Sequence, residues 1–337
     1  MTNAGISRSA CRGMKAEMPA GDPSMAAFRV SPPVTVGGAS AAGTVTIGRD
    51  GVLVVNRMGF GAMRITGPGA WGPPPDRTRS VMALRVAVDA GVNFIDTADS
   101  YGPGVSEEII AEALFPYPDG LVLATKGGLA RPGPDQWVPD GRPERLRECC
   151  EGSLRRLRLE QIPLYQLHRP DPAVPLGESV GALAELQREG KIRHIGVSNV
   201  SQEQLRAIRG LGVEVASVQN RYNAADRGSE EIVDLCEADG MVFLPWAPMH
   251  EAARLAPMAE AARRLGTAPE QVALAWLLGR SPQILVIPGS GSPEHVAANI
   301  NAATLPLASR RRAPRVRSEA SEPTAAAALA FAPAPKL

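Results

Sequence analysis

The sequence predicts an α/β fold, a closed (β/α)8 TIM barrel with an N-terminal β-hairpin. Three observations predict it. Short β-rich runs alternate with amphipathic helical runs about every 25 to 35 residues, eight such strand candidates occur, and several apolar strand interiors end in ionisable side chains. An open doubly wound sheet rarely repeats so evenly. A dinucleotide-binding Rossmann unit also lacks its fingerprint, because Gly59-Phe-Gly61 has no third glycine and no helix start behind it.

The hairpin is read from Thr44-Val-Thr-Ile and Val52-Leu-Val-Val, which flank Gly48-Arg-Asp50-Gly51; the Asp-Gly pair is expected to supply the positive φ of a tight turn. Barrel strands are then expected at Met58–Met63, Asn93–Ala98, Leu121–Gly127, Leu164–Arg169, Arg193–Val197, Val215–Asn220, Val242–Pro245 and Ile284–Pro288. Between them, Val81, Leu84 and Val88 mark the buried stripe of the first helix. Before the last strand, Thr267-Ala-Pro269-Glu270 reads as a capping box with proline in the first turn, ahead of Val272, Leu274, Ala275 and Leu278.

The barrel is assigned to residues 44–306. Residues 1–43, rich in Ala, Gly, Ser, Pro and Met, have few bulky apolar groups to bury and read as a disordered segment; residues 307–337, where Arg310, Arg311, Arg312, Arg315 and Arg317 precede an Ala/Pro run, read as a disordered tail. That tail has no aromatic residues interleaved with its arginines, so no nucleic-acid partner is expected. Lys plus Arg (36) nearly balance Asp plus Glu (35), and the resulting net charge of +1 gives no general reason for a polyanionic or membrane partner. Four cysteines in 337 residues do not make a disulfide scaffold, and no run reaches the ~20 apolar residues of a membrane span, so a cytoplasmic location is expected.

In a barrel of this kind the βα loops at the C-terminal ends of the strands form the open, concave face. The second expected strand ends in Asp96-Thr-Ala-Asp-Ser-Tyr101, the third in Thr125-Lys126-Gly and the fourth in Leu167-His168-Arg169. Any one of these is ordinarily a polar residue satisfied at the rim; Asp, Tyr, Lys and His on three consecutive strand ends are a less ordinary coincidence. Together they compose a proton donor. An ammonium near Tyr101 favours the phenolate and is expected to lower the phenol pKa from about 10. Lys126 supplies that ammonium, Asp96 the counter-charge it needs, and His168 a neutral N–H or a proton route. Such a site protonates a developing alkoxide while something else delivers electrons. No side chain donates hydride, so a nicotinamide cofactor is implied.

The residues that carry this chemistry resemble the aldo-keto reductase superfamily over roughly Thr44 to Ala303. The matching segments, in family order, are Gly59-Phe-Gly-Ala-Met63, Asp96-Thr-Ala-Asp-Ser-Tyr101-Gly, Thr125-Lys126-Gly, Leu167-His168-Arg169-Pro-Asp-Pro, Gly190 to Asn199, Val218-Gln219-Asn-Arg-Tyr-Asn223, Pro245-Trp246-Ala-Pro and Ile287-Pro288-Gly289-Ser290. The resemblance implies reversible reduction of an aldehyde or ketone to an alcohol, with Tyr101 as general acid, Lys126 lowering its pKa, Asp96 holding Lys126 and His168 orienting the carbonyl. It also implies that Ser198, Asn199 and Gln219 bind the nicotinamide carboxamide and that Trp246 stacks on the ring. Met63, Asp96, Gly289, Ser290, His295 and Asn299 complete the implied cofactor contacts. A Ser292 cap with Pro293 at the first helical position independently makes a helix N-terminus suited to the cofactor phosphate. Many relatives carry Lys at the position of Gly289 and Arg at that of His295, so NADP(H) is implied as the family habit, with NAD(H) as the alternative. The chain also turns into its Arg/Ala/Pro tail where relatives usually add a further helix.

Trp71 and Trp137 fall in loops that face the barrel mouth and are expected as substrate-pocket walls. Cys149 and Cys150 lie in an expected Arg-rich helix, Pro143–Arg158, with no histidine partner for thiol catalysis; His194 and His250 share no metal-ligand spacing with any other His or Cys, and no metal is expected. Two other functions are open to the same residues: a cofactor-binding regulatory subunit on the same barrel, and an isomerase or lyase using Lys126 as a Schiff-base amine.

Overall fold

The computed structural model describes residues 38–306; the segments 1–37 and 307–337, with the readings made of them as disordered tails, lie outside the described residues. The described residues include regular structure before position 44. A 3-10 turn covers Ala39–Ala42, and Ala39 is fully buried with its N–H donating to Ala90 O at 2.8 Å.

The hairpin consists of β1 (Thr44–Ile47) and β2 (Leu53–Asn56), antiparallel with Thr44 opposite Asn56 and Ile47 opposite Leu53. Its turn takes the positive φ at Gly51 of the Asp-Gly pair, as expected, with Gly48 a second left-handed residue, whereas Asp50 keeps an ordinary φ. The carboxylate of Asp50 instead accepts from Val52 N and from the Arg193 guanidinium, which pins the hairpin to the start of a barrel strand.

The barrel strands follow as β3 (Phe60–Gly61), β4 (Phe94–Asp96) and β5 (Val122–Gly127). A small antiparallel pair, β6 (Leu129–Ala130) with β7 (Val138–Pro139), interrupts the third βα connection and was not foreseen in the sequence. The barrel resumes with β8 (Ile162–Leu167), β9 (Ile192–Ser198), β10 (Val215–Gln219) and β11 (Val242–Phe243). All seven barrel strands are parallel, in the order β11-β10-β9-β8-β5-β4-β3.

Residues 284–288 close the ring. On one side Phe243 N donates to Gln283 O and Leu285 N to Phe243 O; on the other, Val286 N donates to Arg57 O, Gly59 N to Val286 O and Gly61 N to Pro288 O. The eighth strand is therefore present as bridges to both edges. Arg57 reinforces this seam: its guanidinium donates to the carbonyls of Ile284 and Leu278 at 2.9 and 2.7 Å, and also to that of Ser281.

Helices pack outside the strands: α1 (Arg77–Asp89), α2 (Val105–Leu114), α3 (Pro143–Leu157), α4 (Leu176–Arg188), α5 (Gln202–Gly210), α6 (Glu230–Asp239), α7 (Ala256–Leu265), α8 (Pro269–Arg280) and α9 (Pro293–Asn301). Asp76 caps α1 by accepting Arg79 N at 2.8 Å, and Ser201 with Gln204 forms a reciprocal capping box on α5. The box expected at Thr267/Glu270 does not form, and only its reverse half is present one residue later. Ala268 is the N-cap of α8, and Gln271 Oε1 accepts its N–H at 3.1 Å.

Two apolar layers result. One lies between strands and helices. The other fills the barrel interior, where Val45, Ile47 and Val55 of the hairpin pack with Phe94, Val122, Leu164, Val242 and Leu285. The hairpin thus plugs the N-terminal end of the barrel, and chemistry is confined to the opposite mouth.

Removing the Arg57 guanidinium takes a charged donor from the carbonyls of Ile284, Leu278 and Ser281. Arg57→Met is expected to cost about 2–4 kcal/mol of stability, with the denaturant m-value unchanged, as read by urea unfolding.

Candidate active site

The strand ends bring the four expected residues together. Lys126 is fully buried at the end of β5, and its ammonium donates to Asp96 Oδ2 at 2.7 Å, to Thr97 O at 2.8 Å and to Tyr101 Oη at 3.5 Å. The ion pair is sealed from water, with the two side chains 0% and 3% exposed. A buried pair of this kind persists only when its remaining donors and acceptors are satisfied. Here Gln166 Nε2 and Gln219 Nε2 both donate to Asp96 Oδ1, at 3.1 and 2.9 Å.

These contacts decide the protonation states. Burial opposes the charge of Lys126, but Asp96 and Tyr101 together outweigh it, and the pKa lies above the ordinary lysine value. An ammonium held this way is a poor Schiff-base nucleophile. Tyr101 departs from expectation. Burial raises its pKa more than Lys126 lowers it, with Asp96 adding to the rise, so the resting phenol is less acidic than a free tyrosine and stays protonated at neutral pH. The predicted lowering by Lys126 is real as a contribution and is overridden by desolvation.

His168 lies at the end of β8, 8% exposed, its ring edge-on to Tyr101 with centroids 5.8 Å apart. Burial first, then the charges of Lys126, Arg169 and Arg131, hold its pKa well below the usual value, so the imidazole is neutral. Its Nδ1 contacts Ser100 Oγ at 3.2 Å.

Trp137 stands edge-on to both Tyr101 and His168, at centroid distances of 6.1 and 6.3 Å. Trp71 belongs to the same wall through Arg131. That guanidinium lies 3.5 Å from the Trp137 centroid and 5.8 Å from that of Trp71. It donates to the carbonyls of Gly69, Ala70, Ser100 and Gln136, tying three βα loops together. Sequence reading missed Arg131, Ser100 and Gln166, whose partners are distant in the chain.

The residues implied for a cofactor stand at or just after the ends of β3, β4, β9, β10, β11 and residues 284–288, or on α9. Ser198 Oγ donates to Gln219 O, Asn199 Nδ2 donates to His168 O and Ser198 Oγ, and Asn199 Oδ1 accepts from Trp246 Nε1 at 3.1 Å. Gln219 is committed in part elsewhere, since its Nε2 faces Asp96. Trp246 and Met63 are half-buried, Asn299 is buried on α9, and His295 is exposed there. Gly61 and Gly289 approach so closely that a Cβ on Gly289 would lie 2.3 Å from Gly61 O. Ser292 caps α9 by accepting His295 N, and Ser290 Oγ accepts Ser292 N. A cation absent from the sequence reading also reaches this end: Arg79 donates to Ser292 Oγ at 3.2 Å and to Glu294 at 2.5 Å.

Cys149 and Cys150 are buried in α3, where desolvation pushes both thiols up. Among the described residues no group of three or more His, Cys, Asp or Glu is placed to hold a metal, and no helix is long and apolar enough to cross a membrane.

Asp99, two positions before Tyr101, is buried, and its Oδ1 has no hydrogen-bond partner among the described residues. Burial raises its pKa to about 6, against a hydrogen bond from Cys149 that lowers it. A carboxyl raised on folding contributes its stability below the unfolded value of 3.8, and that contribution is lost as pH rises through about 6. Asp99→Asn is therefore expected to unfold less readily than the parent at pH 8, by on the order of 2–3 kcal/mol, with the advantage about 1 kcal/mol smaller at pH 5 in urea titrations.

The family model for the aldo/keto reductase family matches residues 57–313. An uncharacterized oxidoreductase from Schizosaccharomyces pombe is 44% identical over 274 residues, covering 80% of this chain and 88% of its own. Pyridoxine 4-dehydrogenase from Escherichia coli is 41% identical over 266 residues, covering 76% and 92%. Among solved structures, an aldo/keto reductase from Klebsiella pneumoniae in complex with NADP and acetate superposes with a TM-score of 0.66 at 30% identity, covering 78% of this chain and 90% of that one.

Proposed function

The chain belongs to the aldo/keto reductase family and is an NAD(P)H-dependent oxidoreductase, and from that premise we propose that Tyr101, Lys126, Asp96 and His168 interconvert a small aldehyde or ketone and its alcohol. The observation that carries this reading is the convergence of the Tyr101 hydroxyl and the Asp96-paired Lys126 ammonium, 3.5 Å apart, beside a neutral His168.

The hydride for the carbonyl carbon would come from a nicotinamide held beside these residues. The carbonyl oxygen takes the proton of Tyr101, and the phenolate left behind faces the Lys126 ammonium, which stabilises it in a water-poor site. The raised resting pKa of Tyr101 is compatible with this role, because a general acid must hold its proton until the oxygen becomes basic. His168 donates a hydrogen bond that orients the carbonyl. Trp137, with Trp71 behind Arg131, walls the substrate pocket.

The residues present suit the cofactor. Gly61 and Gly289 let two backbone segments pack against each other where any side chain would collide, Asn199 and Gln219 offer amides, and Trp246 offers a half-buried indole. Met63, Ser198, Ser290, His295 and Asn299 line the same path, with the capped N-terminus of α9 at its anionic end. NADP(H) is the favoured form. Neither Gly289 nor His295 brings a fixed cation, and Arg79 takes that part from α1, exchanging Glu294 for a phosphate. The NADP bound to the Klebsiella pneumoniae relative supports the same preference.

Tyr101→Phe is expected to lower turnover on a carbonyl panel by more than about 100-fold while the cofactor Kd, read by fluorescence, stays within about twofold. Full retained activity would defeat the assignment. Arg79→Ala is expected to raise KM for NADPH by about 5- to 10-fold and leave KM for NADH within about twofold; equal effects on both would remove Arg79 from cofactor selection.

A further inference from the structure

A neutral imidazole carries one N–H, so the use His168 can be put to depends on which nitrogen holds it. Nδ1 faces the Ser100 hydroxyl at 3.2 Å, while Nε2 has no hydrogen-bond partner among the described residues. Ser100 is 2% exposed, and its hydroxyl meets no other hydrogen-bonding group among those residues. Its position is fixed independently: Ser100 O accepts from Arg131 Nη1 at 2.8 Å, and the backbone on either side is bound through Asp99 N to Lys126 O and Tyr101 N to Ala98 O.

The two tautomers differ in cost. With the proton on Nδ1, the serine oxygen accepts and its own buried hydrogen is left without an acceptor. With the proton on Nε2, the serine donates to Nδ1 and both groups are satisfied. We infer that Ser100 is a positioning residue, holding His168 in the Nε2–H tautomer so that its single N–H points away from the serine and is free to donate to a carbonyl oxygen. The inference rests on the reductase reading above for its consequence in catalysis, though not for the tautomer itself.

The neutral state of the ring makes this consequential. An imidazole without a second proton cannot compete with Tyr101 as the acid, and with its proton on Nδ1 it would present a lone pair to the carbonyl oxygen, repelling it. Ser100 therefore separates the two roles, leaving Tyr101 to give the proton and His168 to give a hydrogen bond.

The test reads the tautomer directly, by two-bond proton–nitrogen correlation NMR of full-length protein labelled with nitrogen-15 histidine, with no turnover required. The unaltered chain is expected to show a pyrrole-type Nε2 and a pyridine-type Nδ1 for His168, assigned with His168→Gln. Ser100→Ala is expected to shift those resonances toward a mixture and to lower kcat for carbonyl reduction about tenfold with cofactor Kd unchanged, and Ser100→Thr is expected to restore both. A pyrrole-type Nδ1 in the unaltered chain overturns the inference even if Ser100→Ala fails to fold. So does an unchanged tautomer in folded Ser100→Ala. A tautomer shift in Ser100→Ala, with no carbonyl turnover in any of the proteins, supports the positioning by Ser100 and overturns the reductase reading instead.

Discussion

The Lys126–Asp96 ion pair is the constraint from which the mouth of the barrel is arranged. Two charges with almost no solvent contact are tolerable only because every direction around them is occupied: Thr97 O and the Tyr101 hydroxyl beside the ammonium, Gln166 and Gln219 on the second carboxylate oxygen. That enclosure draws residues from β4, β5, β8 and β10 to one point. It also sets the electrostatics of its neighbours, since the ammonium helps keep His168 neutral and opposes, without overcoming, the desolvation that makes Tyr101 a weaker acid.

The site is held by buried contacts where it meets the barrel and by exposed ones where it meets solvent. The hairpin fills the opposite end, Arg57 ties the closing seam, and Arg131 gathers three loops around Trp137. By contrast, Arg79 and Glu294 are exposed, and their contact at the start of α9 is open to exchange with a ligand anion. Buried polar contacts therefore hold Lys126, Asp96 and Tyr101, while the contact proposed to discriminate between cofactors is a surface ion pair.

Much of this was legible along the chain, for a local reason. Strand interiors repeat every two residues and helix stripes about every 3.6, so the barrel and the strand ends carrying Asp96, Lys126 and His168 can be read from neighbours. The misreadings share the opposite property. The α8 cap moved from Thr267 to Ala268, Gly48 joined the expected Gly51 in the left-handed region, and the β6–β7 pair was too short to leave a periodic signal. The bond from Gln219 Nε2 to Asp96, 123 residues away, is likewise one that no local pattern announces.

By itself the sequence determined the alternation of strands and helices, the residue types delivered to the mouth, and hence the reaction class, because these follow from short-range spacing and side-chain chemistry. Only the tertiary structure decided that residues 284–288 close the ring through Arg57, that Ser100 rather than a carboxylate meets His168, and that Tyr101 rests as a protonated, weakened acid. Hydrogen-bond pairing and desolvation depend on distances between segments far apart in the chain, and those distances exist only after folding.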